Sequence, residues 1–270
     1  MLGKLIKNEI KSSAYTMANI YIATLVTIGI MVVSYLVKLA WLRAIATIAL
    51  LAISVVILVM TVLGILTNFN KSLYGNQGYL SFTLPVKTGS LLASKAIVSV
   101  LWLALSYVVF VGLMVGIYLY LIGLVGDNTI NIIKQIVEMF RELPSTGAIR
   151  MLLIFMVATL FIFSFMIISV IYFAVTLANT RPFQKMVMVY TVVIAFVTFI
   201  VIYSLYGVLT NNVPLSLVMT GDSVTFRMVA MTAGEGILSF GLTGNLFLIL
   251  AAGILMYLTG TLMKTKVNIK

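Results

Sequence analysis

Six long runs of apolar residues, each bounded by charges or turn-forming residues, set the terms on which this chain can fold. They are roughly Ala18–Val37, Ala44–Leu66, Ala96–Leu124, Met151–Leu177, Met186–Tyr206 and Asn245–Met263. Crossing a hydrocarbon core of about 30 Å takes a helix of about 20 mostly apolar residues, and each run is near or above that length. Of the 270 residues, 63% are hydrophobic and 9% charged, whereas an ordinary soluble domain is roughly 45–50% apolar. The expected fold is therefore an all-α integral membrane protein of six transmembrane helices, organised as one transmembrane domain over residues 1–270 with no room for a soluble one.

The net charge of +11 does not point to nucleic acid, because the basic residues are scattered among apolar runs instead of covering one polar face. Their distribution instead sets an orientation, since segments rich in Lys and Arg stay cytoplasmic. With both termini inside, Lys4, Lys7, Lys11, Lys71, Lys87, Lys95, Arg181, Lys185, Lys264, Lys266 and Lys270 are cytoplasmic. Only Lys38, Arg43, Lys134, Arg141, Arg150 and Arg227 lie outside, together with every acidic residue except Glu9. Residues 1–13 place Leu2, Leu5, Ile6 and Ile10 opposite Lys4, Lys7, Asn8 and Lys11. That spacing predicts a short amphipathic helix on the membrane surface ahead of the first span. Two extracytoplasmic segments are expected, 126–150 and 207–244. The first predicts an amphipathic helix ending near Leu143, and the second is left open between short helices and a partly embedded lid, with no secondary structure assigned.

Several function classes are excluded by residues the sequence lacks. There is no cysteine and no histidine, so disulfides, thiol chemistry and zinc or haem sites built on those ligands are out. The six runs hold no Asp, Glu, Lys or Arg well inside them, which argues against the midplane charge of an ion-coupled carrier. No G-x-x-x-x-G-K-[ST] loop is present to cradle nucleotide phosphates, so the chain is not expected to be an enzyme by itself, and no metal or catalytic residue is expected. Hydroxyls at Thr24, Thr27, Ser34, Ser54, Thr61, Ser164 and Ser169 sit in the runs. The expectation favoured here is that they bond their own helix carbonyls or glue helices together, not that they line a polar path.

Residues 67–95 form the longest clearly hydrophilic insertion, TNFNKSLYGNQGYLSFTLPVKTGSLLASK, on the side expected to be cytoplasmic. It contains Leu73, Tyr74, Tyr79, Leu80, Phe82 and Leu84, apolar and aromatic side chains that need a partner, either a soluble protein or the protein's own helix ends. Asn70–Tyr74 is expected to be helical and to end at Gly75, and Thr88 or Ser90 is expected to start the helix of the third span.

A basic amphipathic N-terminal segment, two spans, this insertion and four further spans together resemble the permease subunits of ABC-2-type transporters. The likeness is strongest to small bacterial permeases for export of, or resistance to, peptide antibiotics and lantibiotics. The most specific stretches are GYLSFTLP (Gly78–Pro85) and SLLASK (Ser90–Lys95). The resemblance implies an elbow helix at 1–13 and a coupling helix within 67–95 that docks onto a separate ATPase. Carried over by residue, it implies ATPase contacts at Phe69, Asn70, Leu73, Tyr74, Gly78, Tyr79 and Leu84, with Arg181 as an auxiliary contact. Many relatives carry an acidic residue just before the glycine matched by Gly78, whereas this chain has Asn76 and Gln77.

The function this implies is the membrane-spanning subunit of an ATP-driven exporter in a bacterial plasma membrane, moving a hydrophobic or amphipathic peptide or lipid. Its partners would be a cytoplasmic ABC ATPase, a second or sibling permease and membrane lipid. ATP and Mg would be held by the ATPase and no cofactor by this chain. Two alternatives stay open at this level: an ATPase-independent secondary transporter or channel, and a non-transport immunity or scaffold protein.

Overall fold

The computed structural model describes residues 2–37, 39–75, 88–125, 134, 138, 147–213, 215–220, 223–228 and 239–265. Its helices are α1 (Leu2–Val37), α2 (Ala40–Tyr74), α3 (Thr88–Val125), α4 (Gly147–Ala178), α5 (Val187–Asn212) and α6 (Leu242–Thr265), with a short 3-10 helix at Arg181–Met186. Among the described residues, six helices are long and apolar enough to cross a membrane, and the chain is a multi-pass helical membrane protein. Val, Ile and Phe, mediocre helix formers in water, recur throughout these segments. They are helical here because hydrocarbon offers the backbone no partner outside the segment.

Two compact units divide the chain: residues 1–69 with 93–139, and residues 70–92 with 140–270. The first unit holds α1 and most of α2 and α3, helices of 36, 35 and 38 residues. At 1.5 Å per residue they rise about 52 to 57 Å, well beyond the roughly 30 Å of a hydrocarbon core. No break separates residues 2–13 from the apolar run that follows. The segment expected as a distinct elbow forms the first turns of the same helix as the first span. Leu50 of α2 packs with Leu113 and Ile117 of α3, with Ile28 and Met31 of α1 alongside.

In the second unit, Met166 and Val170 of α4, Ile202 of α5 and Leu248, Ala252 and Leu255 of α6 form a core. The α6 side chain Asn245 donates to Thr159 Oγ1 of α4 at 2.9 Å. Helix α5 buries only Thr191 and Ile202 among its residues, and exposes Val192, Phe196, Tyr203 and Val208, as a helix facing lipid on most sides would.

The segment 207–244 has a structure that the sequence did not foreshadow. Strands β1 (Leu215–Thr220), β2 (Ser223–Met228) and β3 (Ser239–Gly241) form an antiparallel sheet in the order β2-β1-β3. Leu215 pairs with Met228 and Thr220 with Ser223 on one side, and Leu217 with Phe240 on the other. The helical expectation holds for the membrane-crossing part, and this small sheet is added to it. The Thr243 hydroxyl anchors the sheet to α6, donating to the Val213 carbonyl at 2.6 Å and accepting from the Leu215 N–H at 3.3 Å. Of the amphipathic helix expected within 126–150, only Lys134 and Glu138 fall among the described residues ahead of α4, both helical and exposed.

Candidate functional site

Two groups of polar side chains are built at helix ends, and both involve the end of α2. The first joins α1, α2 and α3. Glu9, on the second turn of α1, accepts from Lys95 Nζ at 2.7 Å through Oε2 and from Asn68 Nδ2 of α2 at 2.9 Å through Oε1. The Lys95 side chain is 4% exposed and that of Glu9 15%, so this is a buried ion pair.

One turn along α1, Ser13 Oγ donates to the Glu9 carbonyl at 2.8 Å and accepts from the Trp102 indole N–H at 2.9 Å. Trp102 stacks on Tyr21 with ring centroids 6.1 Å apart. The Tyr21 hydroxyl lies 2.9 Å from Ser106 Oγ, which is 2.7 Å from Thr61 Oγ1. A continuous column of polar contacts therefore runs up the middle of three otherwise apolar helices. A charge buried alone in such a place is very costly, and pairing with further hydrogen bonds offsets that cost.

Sequence reasoning did not find this pair. Glu9 and Lys95 are 86 positions apart, so no local spacing joins them. Two weak signals were available: Glu9 is the lone carboxylate among Lys4, Lys7 and Lys11, and Lys95 immediately precedes an apolar run.

The second group lies within the other unit and involves the insertion. Helix α2 continues to Tyr74 and stops at Gly75, whose N–H reaches the Asn70 carbonyl at 3.1 Å. A Cβ at position 75 would sit 2.7 Å from the Lys71 carbonyl oxygen, which is why glycine ends the helix there. The Tyr74 hydroxyl donates to Thr176 Oγ1 at 2.9 Å. Asn179 Nδ2 donates to Asn70 Oδ1 at 3.1 Å and to the Val175 carbonyl at 2.8 Å. The last turn of α2 is thus latched to the last turns of α4.

These contacts decide what several expected docking residues are free to do. Phe69 and Leu73 are 1% and 0% exposed, and Asn70 and Tyr74 have the partners just given, so in this conformation all four are committed within the protein. Arg181 begins the 3-10 helix and is exposed. Gly78, Tyr79 and Leu84 lie outside the described residues.

The span hydroxyls behave as the first of the two expectations held. Thr24, Thr27, Thr61, Ser164 and Ser169 donate to the carbonyl four residues back, at 2.7 to 3.0 Å. Ser34 and Ser54 donate to the carbonyl three residues back, both at 2.7 Å. No group of three or more His, Cys, Asp or Glu suited to a metal occurs among the described residues.

The chain matches no family model, and no curated protein or solved structure matches it.

Proposed function

We propose that this protein is the membrane-spanning permease subunit of an ATP-driven exporter in a bacterial plasma membrane, driven by a separate ATPase that docks on residues 76–87. The observation that carries the reading is the mounting of that segment. It leaves α2 at an end latched by Tyr74 and Asn70 to Thr176 and Asn179, and it returns at the start of α3, where Leu91 and Leu92 are buried. A segment held between two ordered helix ends suits the transfer of a push into a bundle, because packed helices shift as rigid bodies between discrete arrangements. Phe69 and Leu73, buried as they are, stiffen the mount in this reading, and the docking contacts fall to Gly78, Tyr79, Leu84 and Arg181. The cargo is a hydrophobic or amphipathic peptide or lipid, since the described spans offer apolar surface and no charge near their middle to hold a small ion.

The test is purification of the chain from its native membrane with a search for a co-purifying P-loop ATPase, repeated with Tyr79→Asp and Leu84→Asp. An ATPase recovered with the unaltered chain and lost from both variants supports the proposal. Absence of any ATPase, or a complex indifferent to both changes, sinks it.

A further inference from the structure

A groove of about 470 Å³ runs along the outside of the first unit between α1 and α2, lined by Thr16, Asn19, Ile20 and Ala23 of α1 and by α2 from Ile53 to Thr67. Its two ends differ in chemistry. Toward Ile53 the walls are aliphatic, with Val56, Ile57 and Met60 facing Ile20 and Ala23. At the other end stand Thr16, Asn19 and Thr67, where Gly64 opens space that a side chain would close: a Cβ there would meet the Met17 methyl at 3.1 Å.

The polar end is also incompletely satisfied. Thr67 bonds its own helix at the Leu63 and Gly64 carbonyls. Among the described residues, neither the Thr16 hydroxyl nor the Asn19 amide has a hydrogen-bond partner. That sets them apart from Thr24 and Thr27 one to three turns further along α1, which bond the Ile20 and Ala23 carbonyls.

Helix geometry places this chemistry at a definite depth. From Val37, the last residue of α1, back to Asn19 and Thr16 the helix rises about 27 and 31 Å, which brackets the roughly 30 Å hydrocarbon core. Thr16 and Asn19 therefore lie at the level of lipid ester groups, and the aliphatic part of the groove lies beside acyl chains of that leaflet. Along α2 the groove is about 21 Å long, more than the roughly 15 Å of half a core. Below it, the exposed Lys71 follows Thr67 by one turn on the same face of α2, and the exposed Lys11 of α1 lies about 8 Å along the axis from Thr16, while the carboxylate of Glu9 is taken up by Lys95. The headgroup region beside the groove is thus cationic, and basic residues there attract anionic lipid.

We infer that this groove holds one acyl chain of an anionic phospholipid from the leaflet facing the N-terminus, with the ester carbonyls accepting from Thr16 and Asn19 and the phosphate near Lys71 and Lys11. The chain's polarity gradient and charge match those of the groove end to end.

The test uses the full chain in nanodiscs containing phosphatidylglycerol that carries a photoactivatable diazirine on one acyl chain, with labelled peptides located by mass spectrometry. Labelling is expected to concentrate on Ala23, Val56 and Met60. It should fall at least about fivefold in an Ala23→Phe/Val56→Phe variant that fills the groove, and by less than about twofold in Val33→Phe, an equivalent change at an exposed site of α1 away from it. A second arm compares phosphatidylcholine bearing the same labelled chain, for which severalfold weaker groove labelling is expected. Because the chain has no native cysteine, Ala23→Cys supplies a clean third reading. Groove labelling no higher than at the Val33 face, equal labelling by the two lipids, or an efficient Ala23→Cys disulfide between two copies would each overturn the inference. None of these outcomes bears on whether an ATPase docks at residues 76–87.

Discussion

Breaking the Glu9–Lys95 pair should destabilise the first unit by an amount that depends on which partner is removed. At 2.7 Å and an effective dielectric of about 20, the gross attraction is about 6 kcal/mol, most of it offset by taking both charges out of water. What a single substitution exposes is the uncompensated partner. Lys95, with a side chain 4% exposed, is the more deeply buried of the two, and Glu9, at 15%, also keeps Asn68. Glu9→Gln therefore strands a buried ammonium and should cost about 3–5 kcal/mol. Lys95→Met leaves a carboxylate that Asn68 and some water still serve, and should cost less, about 2–3 kcal/mol.

In the double variant neither charge remains, so its cost should fall short of the sum by about 2 kcal/mol. The measurement is an unfolding titration in mixed micelles, followed by fluorescence in a Trp41→Phe background. Trp41 is 62% exposed, and its removal leaves Trp102, bonded to Ser13 beside the pair, as the reporter. Additive costs to within about 0.5 kcal/mol, or a larger loss from Lys95→Met than from Glu9→Gln, would refute this account.

Three further outcomes follow from single contacts. Ser106→Ala removes the hydroxyl shared by Tyr21 and Thr61. Because Thr61 keeps the Ile57 carbonyl, the same titration should show a loss of only about 0.5–1 kcal/mol. Gly244→Ala should cost about 1–3 kcal/mol, since its Cβ would run into the Tyr206 ring, and Tyr206→Leu should recover most of the loss in a thermal melt of the double variant. Tyr74→Phe keeps the ring and deletes its bond to Thr176; about 1 kcal/mol of stability should be lost, with faster amide hydrogen exchange at the end of α2 and no change near Trp102.

Much of the helical layout was legible because hydrocarbon imposes a simple rule on a linear string: about 20 apolar residues must run together, and their backbone must close on itself. The end of α2 at Gly75 was equally readable, since it depends on residues within a turn of each other. The elbow was expected as a separate helix because Lys4, Lys7 and Lys11 change the composition at residue 13. A change of composition alone does not break a helix, and no Pro or Gly between Gly3 and Gly29 interrupts α1. The sheet at 215–241 escaped notice although Ser223–Met228 alternates polar and apolar over six residues, a strand pattern; its pairing partners are not local, and joining Leu217 to Phe240 depends on a contact made across the chain.

The sequence by itself determined that this protein is built of long apolar runs able to cross a membrane and that it carries no Walker-type nucleotide-binding loop, because each follows from residue type and run length alone. Tertiary structure decided which polar residues act together. Glu9, Asn68 and Lys95 come from three helices, and Tyr74, Asn70, Thr176 and Asn179 from the ends of two. A paired charge and a lone one look the same in a one-dimensional string. Only the packing of helices against one another, which decides whether a partner lies within 3 Å, tells them apart.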